Sequence, residues 1–300
     1  MSLLAVMLII ISTFSHAGWN MMSKKANFSP AFFLTANSWG VLLFSPVLLV
    51  FSDQLASINS EMWIFFIFTG FFQAVYLFNL ARAYKMGDMS LIYPIVRSLP
   101  IIMVPTILIF WGGERFSLFF LLGSFLVIAG LFMQWVKKID KNFSAAKNYK
   151  FSWAYAILAA LGTAGYSLID GYAVKLLSNL ESFTATSSPL VYLVFQGFFT
   201  SIWLLIFSSI SITGRKEFID AVKAEMKTSI FIGAGIYITY GLVLAAMIFA
   251  ENVGYIVVFR QLSIPIGTIM GYFFLKEGLD FYKAIGTVIL LCGLVLVAIS

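Results

Sequence analysis

The sequence predicts an all-α integral membrane protein: ten transmembrane helices arranged as a 5+5 inverted repeat with a central cavity. Three observations predict this fold. The 300 residues are 61% hydrophobic and only 11% charged, with a mean hydropathy of +0.97, whereas soluble domains carry roughly 25% charged residues. The chain divides into ten long apolar runs, and matching residues recur at a constant offset between its two halves.

Each apolar run is long enough to be a membrane span, since a helix needs about 20 residues to cross a bilayer. The ten runs are 2–22, 31–51, 62–82, 91–110, 117–136, 152–174, 188–209, 229–249, 254–275 and 283–299. We interpret the first run as a retained span rather than a signal peptide, because no Lys or Arg precedes it. The two longer polar connections are 137–151 and 210–228.

The polar linker 137–151 separates a first repeat, 1–136, from a second repeat, 152–300. Because each repeat has five spans, the second must cross the membrane in the opposite sense, as in many secondary transporters. Four residue pairs support the repeat, each separated by 163 residues: Arg97 and Arg260, Glu114 and Glu277, Gly123 and Gly286, and Gly130 and Gly293. A weaker match at an offset of 150 pairs Asn20 with Asp170.

The distribution of Lys and Arg predicts the orientation of the chain. Odd-numbered loops hold fifteen of these residues and even-numbered loops hold two, Arg115 and Lys175. This bias predicts a cytoplasmic linker 137–151 and both termini outside. The net charge of +6 does not indicate nucleic-acid binding, because the basic residues form no stripe on a polar face.

Arg97 and Arg260 are the main candidates for substrate binding, because each lies about six residues inside an apolar run. An ionisable residue within a span marks a functional site by default, and an arginine fork suits carboxylate or phosphonate oxygens. The alternative is a structural arginine that donates to loop carbonyls. Pro94 and Pro265 stand beside the two arginines, and we expect them to break helical hydrogen bonds near the cavity.

Further cavity candidates are polar or aromatic residues inside the apolar runs. His16, with Trp19 and Asn20 one turn later, is a candidate proton carrier, the alternative being a neutral histidine bonded to a neighbouring helix. Asp170 is a candidate proton-coupling carboxylate, the alternatives being a fixed counter-charge to Arg97 or Arg260 and an interfacial residue. Among the tyrosines we select those whose hydroxyls need partners: Tyr84, Tyr93, Tyr166, Tyr172 and Tyr240.

The remaining repeated residues have predicted structural roles. Gly123 and Gly130, like Gly286 and Gly293, lie two turns apart on one helix face, so we expect the fifth and tenth spans to pack closely. Glu114 and Glu277 stand at span ends, where we expect helix capping or local pairing. The single cysteine, Cys292, provides no disulfide, and the sequence predicts no metal site and no cofactor.

Six short segments are characteristic: HAGWN at 16–20, ARAYKMGD at 81–88, YPIVR at 93–97, GER at 113–115, RQLS at 260–263 and KE at 276–277. Through these segments the chain resembles the drug/metabolite transporter superfamily, in the group with two EamA domains. The resemblance covers nearly the whole chain. It implies ten spans, a bacterial inner-membrane location, and export or exchange of small metabolites. Family members are drawn with cytoplasmic termini, which differs from the orientation that the charges predict.

We therefore expect a secondary transporter of small polar, anionic or zwitterionic metabolites, as a monomer or homodimer. Protons or exchange would drive it, since no G-x-x-x-x-G-K-[ST] loop for ATP is present. The alternatives are a membrane sensor or assembly subunit without flux, and an integral-membrane enzyme. The enzyme is least favoured because the one histidine has no acidic neighbours in sequence and no H-E-x-x-H occurs.

Overall fold

The structure is a computed structural model that describes residues 2–22, 29–87, 89–142, 149–209, 226–276, 278 and 280–300. Its helices are Leu3–Met22, Pro30–Phe44, Pro46–Val50, Ser52–Leu55, Ser60–Met86, Met89–Phe110, Leu118–Asn142, Tyr149–Ser178, Ser187–Ser209, Met226–Ile248, Val253–Phe259, Ser263–Leu275 and Phe281–Ala298. No strand occurs within these described ranges.

Ten helical stretches are long and apolar enough to cross a membrane, and we number them as spans in chain order. The second span runs over Pro30–Val50 and the ninth over Val253–Phe274, and each is built from two helices. Every span overlaps its predicted run, with ends that differ by four residues at most. The predicted all-α membrane fold with ten spans is therefore confirmed, and the chain is a multi-pass membrane protein.

Side chains with oxygen acceptors fix where several spans begin. Ser29 accepts a hydrogen bond from the backbone N–H of Phe32, ahead of Pro30 in the first helical turn. Asn59 caps the third span and Asp280 caps the tenth in the same way. These caps satisfy backbone donors that a helix start leaves unpaired.

The ninth span is broken where Arg260 lies. A 3-10 turn, Arg260–Leu262, separates helix Val253–Phe259 from helix Ser263–Leu275. Pro265 has no N–H and cannot donate to the carbonyl of Gln261, so the regular helical hydrogen bond is missing there. In contrast, the fourth span is a continuous α-helix over Met89–Phe110, although Pro94 lies inside it. The helix break that we expected near each arginine therefore accompanies Pro265 and not Pro94.

The packing of the spans follows a regular scheme. The third span packs on the sixth and the first on the eighth, while the second packs on the eighth and the third on the seventh. The fourth packs on the sixth and the first on the ninth. The second packs on the seventh, and the fifth on the tenth. Exchanging each span with the one five positions away converts six of these pairs into one another and leaves the second–seventh and fifth–tenth pairs unchanged.

Candidate functional site

A cavity of about 110 Å³ lies within the helical bundle. One water molecule needs roughly 10–15 Å³ of such space, so the cavity has room for about seven to eleven water molecules. Its described lining comes from the first, second, third, fourth, sixth, eighth and ninth spans, and so from both halves of the chain.

Besides the third span, described below, three spans present residues to the cavity at positions i, i+3 and i+4. These are His16, Trp19 and Asn20 on the first span, Tyr93, Val96 and Arg97 on the fourth, and Ile236, Thr239 and Tyr240 on the eighth. Residues at this spacing share one face of a helix. Each of these spans therefore turns a single stripe toward the cavity.

Arg97 is held by neutral groups on the cavity wall. Its Nη2 donates to Nε2 of His16 at 2.7 Å, and its guanidinium lies 5.4 Å from the centre of the Tyr93 ring. Arginine has no acceptor and stays protonated. Nε2 of His16 must therefore present its lone pair to Arg97, and this ring nitrogen carries no proton. The edge of the His16 ring also packs against Trp19, with ring centroids 4.9 Å apart.

Arg260 has a matching environment built from other spans. Its guanidinium lies 5.4 Å from the centre of the Tyr240 ring. Tyr240 and Tyr166 both line the cavity. The two arginines that stand 163 residues apart in the sequence thus line one cavity, each beside a tyrosine ring.

The cavity has a positive charge that its own lining does not neutralise. Arg97 and Arg260 line it, while none of the described lining residues is Asp or Glu. Contacts with ring faces contribute about 0.5–2 kcal/mol each, less than the roughly 2.5–3.5 kcal/mol that a charge costs at the centre of a bilayer-spanning helix on insertion scales. Two positively charged side chains therefore face the cavity without an acidic partner among its described lining residues.

A hydrogen-bonded chain joins the first and eighth spans at the rim of this lining. Trp19 Nε1 donates to Oγ1 of Thr239 at 3.2 Å, and Thr239 donates in turn to Ser15 at 3.0 Å. Ser12 donates to the backbone carbonyl of Thr239 at 2.8 Å. These contacts fix the position of the Trp19 ring against the cavity.

Asp170 lies behind the cavity wall and is fully buried. One carboxylate oxygen accepts from Thr69 and from Tyr192 (2.8 Å), and the other accepts from Gln196 (2.8 Å) and from Tyr240. These partners are neutral and come from the third, seventh and eighth spans. Asp170 does not line the cavity as we expected of it. It reaches the cavity only through Tyr240, the residue beneath Arg260.

Four of the five selected tyrosines, Tyr84, Tyr93, Tyr166 and Tyr240, line the cavity. Tyr172 does not: it is 59% exposed on the outside of the bundle and packs on Phe65.

The residues of the third span that line the cavity were, apart from Tyr84, not predicted from the sequence. Gln73, Tyr76, Leu77, Leu80 and Tyr84 line the cavity, and their spacing places them on one helix face. Only Tyr84 was selected. Two polar side chains on the face that also carries Tyr84, in an otherwise apolar run, were the signal that could have found Gln73 and Tyr76.

The repeated glycines lie where the fifth and tenth spans cross. A Cβ on Gly123 would lie 2.6 Å from the carbonyl oxygen of Gly293, and one on Gly130 would lie 2.6 Å from that of Gly286. The backbones therefore meet directly at both points, away from the cavity lining.

Glu114 is exposed and does not cap the fifth span, since Ser117 accepts the hydrogen bond from Phe120 N–H at 3.0 Å. Its own backbone N–H closes the end of the fourth span by donating to Leu108, next to Gly113 in the left-handed conformation. Glu277, for which we expected a similar structural role, lies outside the described residues.

These features define an integral membrane protein with ten spans and a positively charged cavity inside the bundle. Residues 3–136 match the EamA-like transporter family, so this part of the chain is an EamA domain, and the ten spans fit the architecture of that superfamily. The resemblance to drug/metabolite transporters is confirmed. The family assignment indicates a membrane transporter of small molecules.

The comparison with solved structures supports the fold of the whole chain. A protein of known crystal structure is similar over 98% of this chain and 97% of its own, with a TM-score of 0.67 and 15% sequence identity. At this identity the likeness concerns the fold alone. The search among curated proteins found no match.

Proposed function

We propose that the protein is a secondary transporter of small organic anions, which bind between Arg97 and Arg260. The observation that carries this proposal is the presence of two guanidinium groups in one cavity whose described lining contains no acidic residue. The groups that contact the two guanidinium groups there, His16, Tyr93 and Tyr240, are neutral. A carboxylate or phosphonate would bring the opposite charge, and its oxygens match the guanidinium fork.

Alternating access would come from rocking of two inverted five-span repeats, 1–136 and 152–300. The packing of the spans supports this arrangement, because exchanging each span with the one five positions away reproduces the same set of packed pairs. So does the cavity, to which each half contributes one arginine. In inverted-repeat transporters the substrate site lies between the repeats, so that rocking exposes it to each side in turn.

We further propose the proton as the coupling ion, with His16 as its site. His16 accepts from Arg97 only while Nε2 is unprotonated. An anion that draws Arg97 away frees Nε2 to take a proton and to donate to the same anion. The other titratable residues that line this region are Arg97, Arg260 and tyrosines, and none of the described lining residues is Asp or Glu. Anion and proton therefore bind together.

For the cellular setting we propose the bacterial plasma membrane. The excess of Lys and Arg in odd-numbered loops supports a cytoplasmic linker 137–151 and termini on the outer side.

Transport by purified protein in liposomes tests the anion site. We expect the wild type to carry radiolabelled carboxylates down an imposed gradient, and Arg97→Ala or Arg260→Ala to cut the rate at least tenfold. Arg115→Ala is the matched control, because Arg115 is exposed in a loop. Full transport by the double alanine variant would overturn the proposal.

The proton site is tested by the pH dependence of benzoate binding between about pH 8 and about pH 6, where an ordinary histidine changes its charge. In the wild type the affinity should rise as the pH falls, by up to tenfold per pH unit for one linked proton. His16→Gln keeps an acceptor for Arg97 but binds no proton, so its affinity should be independent of pH. The same slope in both proteins would exclude His16.

A further inference from the structure

Gln73 lines the cavity and carries a side-chain oxygen that accepts no hydrogen bond from the described part of the chain, and the amide must turn toward the cavity to offer this oxygen to a ligand. The residue lies in the third span, lines the cavity and is only 9% exposed. Its Oε1 atom is buried and has no hydrogen-bond partner. Of the buried side-chain atoms without a partner in the described part of the chain, it alone belongs to a residue of the cavity lining.

Two other buried amides of the bundle, Asn37 and Gln196, have hydrogen-bond partners, whereas the Oε1 atoms of Gln54 and Gln261, which lie outside the cavity lining, have none. The Nδ2 atom of Asn37 donates to the Gly197 carbonyl and to Ser201, both at 2.8 Å, and its Oδ1 accepts from Tyr237. Gln196 donates to Asp170 and Thr69. Buried polar groups are generally paired, so an unused acceptor on a cavity wall indicates a partner that enters the cavity.

We propose that the substrate is an organic anion that also bears a hydroxyl or N–H donor, and that Gln73 Oε1 accepts a hydrogen bond from this donor. The proposal rests on the anion site described above and adds a second recognition point to it. The two arginines bind the negative group, and Gln73 selects among anions by what they carry elsewhere.

A site built to receive a hydrogen bond discriminates against analogues that lack the donor, because its own polar group is then left unpaired. A single neutral hydrogen bond corresponds to about a five- to tenfold difference in affinity. The test therefore uses sets of three anions that differ only at one position. One set is 4-hydroxybenzoate, 4-methoxybenzoate and 4-methylbenzoate; the second is 3-hydroxypropanoate, 3-methoxypropanoate and butanoate.

Dissociation constants are measured by isothermal titration of the purified full-length protein. In the wild type, the hydroxyl member of at least one set should bind five- to tenfold more tightly than both other members. In Gln73→Met the three affinities should become equal within about twofold, mainly through weaker binding of the hydroxyl member. Gln54→Met is the matched control, since Gln54 also has a buried, unpartnered Oε1 but lies outside the cavity lining, and it should keep the wild-type preference.

Three results would overturn the assignment of Gln73: equal affinities within each set in the wild type, a hydroxyl preference that survives in Gln73→Met, or a preference for the methoxy members. The last would mean that the amide presents its N–H groups to the ligand. Arg97→Ala separates this question from the anion site, because it should weaken all members of a set equally. If no anion binds to the wild type at all, the proposed function fails together with this inference.

Discussion

Replacing Asp170 tests how far the buried polar cluster holds the bundle together. The carboxylate accepts hydrogen bonds from Thr69, Tyr192, Gln196 and Tyr240. In Asp170→Ala these donors lose their acceptor. Gln196 and Thr69 still bond to each other at 2.8 Å, so the two tyrosine hydroxyls carry most of the loss.

The magnitude follows from the cost of unpaired buried groups. Each buried donor without an acceptor costs about 1–3 kcal/mol, so two tyrosine hydroxyls and the lost side-chain volume give about 3–5 kcal/mol for Asp170→Ala. Asp170→Asn should cost only about 1 kcal/mol, because its Oδ1 still accepts from Thr69 and Tyr192. Its amide N–H can donate to the Tyr240 oxygen, and the amide of Gln196 can turn over to accept.

The assay is the apparent melting temperature of purified protein in detergent, followed by intrinsic tryptophan fluorescence. At roughly 2 °C per kcal/mol for a chain of this size, Asp170→Ala should melt about 6–10 °C below the wild type and Asp170→Asn about 2 °C below it. Asp53→Ala is the control, since Asp53 is exposed in the short helix Ser52–Leu55. If Asp170→Ala has the same melting temperature as the wild type, the buried polar cluster does not stabilise the bundle as we expect.

Three further outcomes follow from the packing and the charges. Gly130→Ala should melt several degrees below the wild type, because the new Cβ would lie 2.6 Å from the Gly286 carbonyl oxygen, whereas Gly18→Ala meets nothing within 4 Å and should melt unchanged. Lys175→Met should also melt lower, since the lysine donates to two backbone carbonyls after the eighth span, at 2.6 and 3.1 Å; an unchanged melting curve would contradict this. A single cysteine within 142–148 should be shielded from impermeant thiol reagents added to intact cells, and ready labelling would reverse the proposed orientation.

The spans could be predicted from the sequence because a single physical requirement, the pairing of backbone groups in lipid, determines them. Backbone groups in lipid must be paired within the segment, and only long apolar helices achieve this without help from neighbours. The ends of the third span differ most from the prediction, since the helix continues through Arg82 and Lys85 to Met86. Hydropathy falls at these charged residues, but the helical hydrogen bonds do not stop there.

The meeting of Arg97 and Arg260 in one cavity could also be anticipated. A buried charge in a span must face a wet or polar interior, and the common offset places both at equivalent points of the two halves. The pairing of Arg97 with His16 could not be predicted, because it depends on the relative rotation of the first and fourth spans.

The surroundings of Asp170 could not be predicted from the sequence. Its charge and its place in an apolar run suggested the cavity or an arginine partner, but its partners are neutral groups on three other spans. The order of residues within the sixth span does not show which residues of other spans Asp170 contacts. Gln73 was not predicted as a cavity residue, because an uncharged amide is not unusual in a membrane helix. Only the direction in which its helix face points shows that it lines the cavity.

The most direct test of the central claim is a crystal structure of the protein with a brominated carboxylate, located by the anomalous scattering of bromine. The claim predicts one strong bromine peak inside the cavity, with carboxylate oxygens about 2.7–2.9 Å from nitrogens of both Arg97 and Arg260. Bromine bound only at the protein surface, with the space between the two guanidinium groups empty, would contradict it.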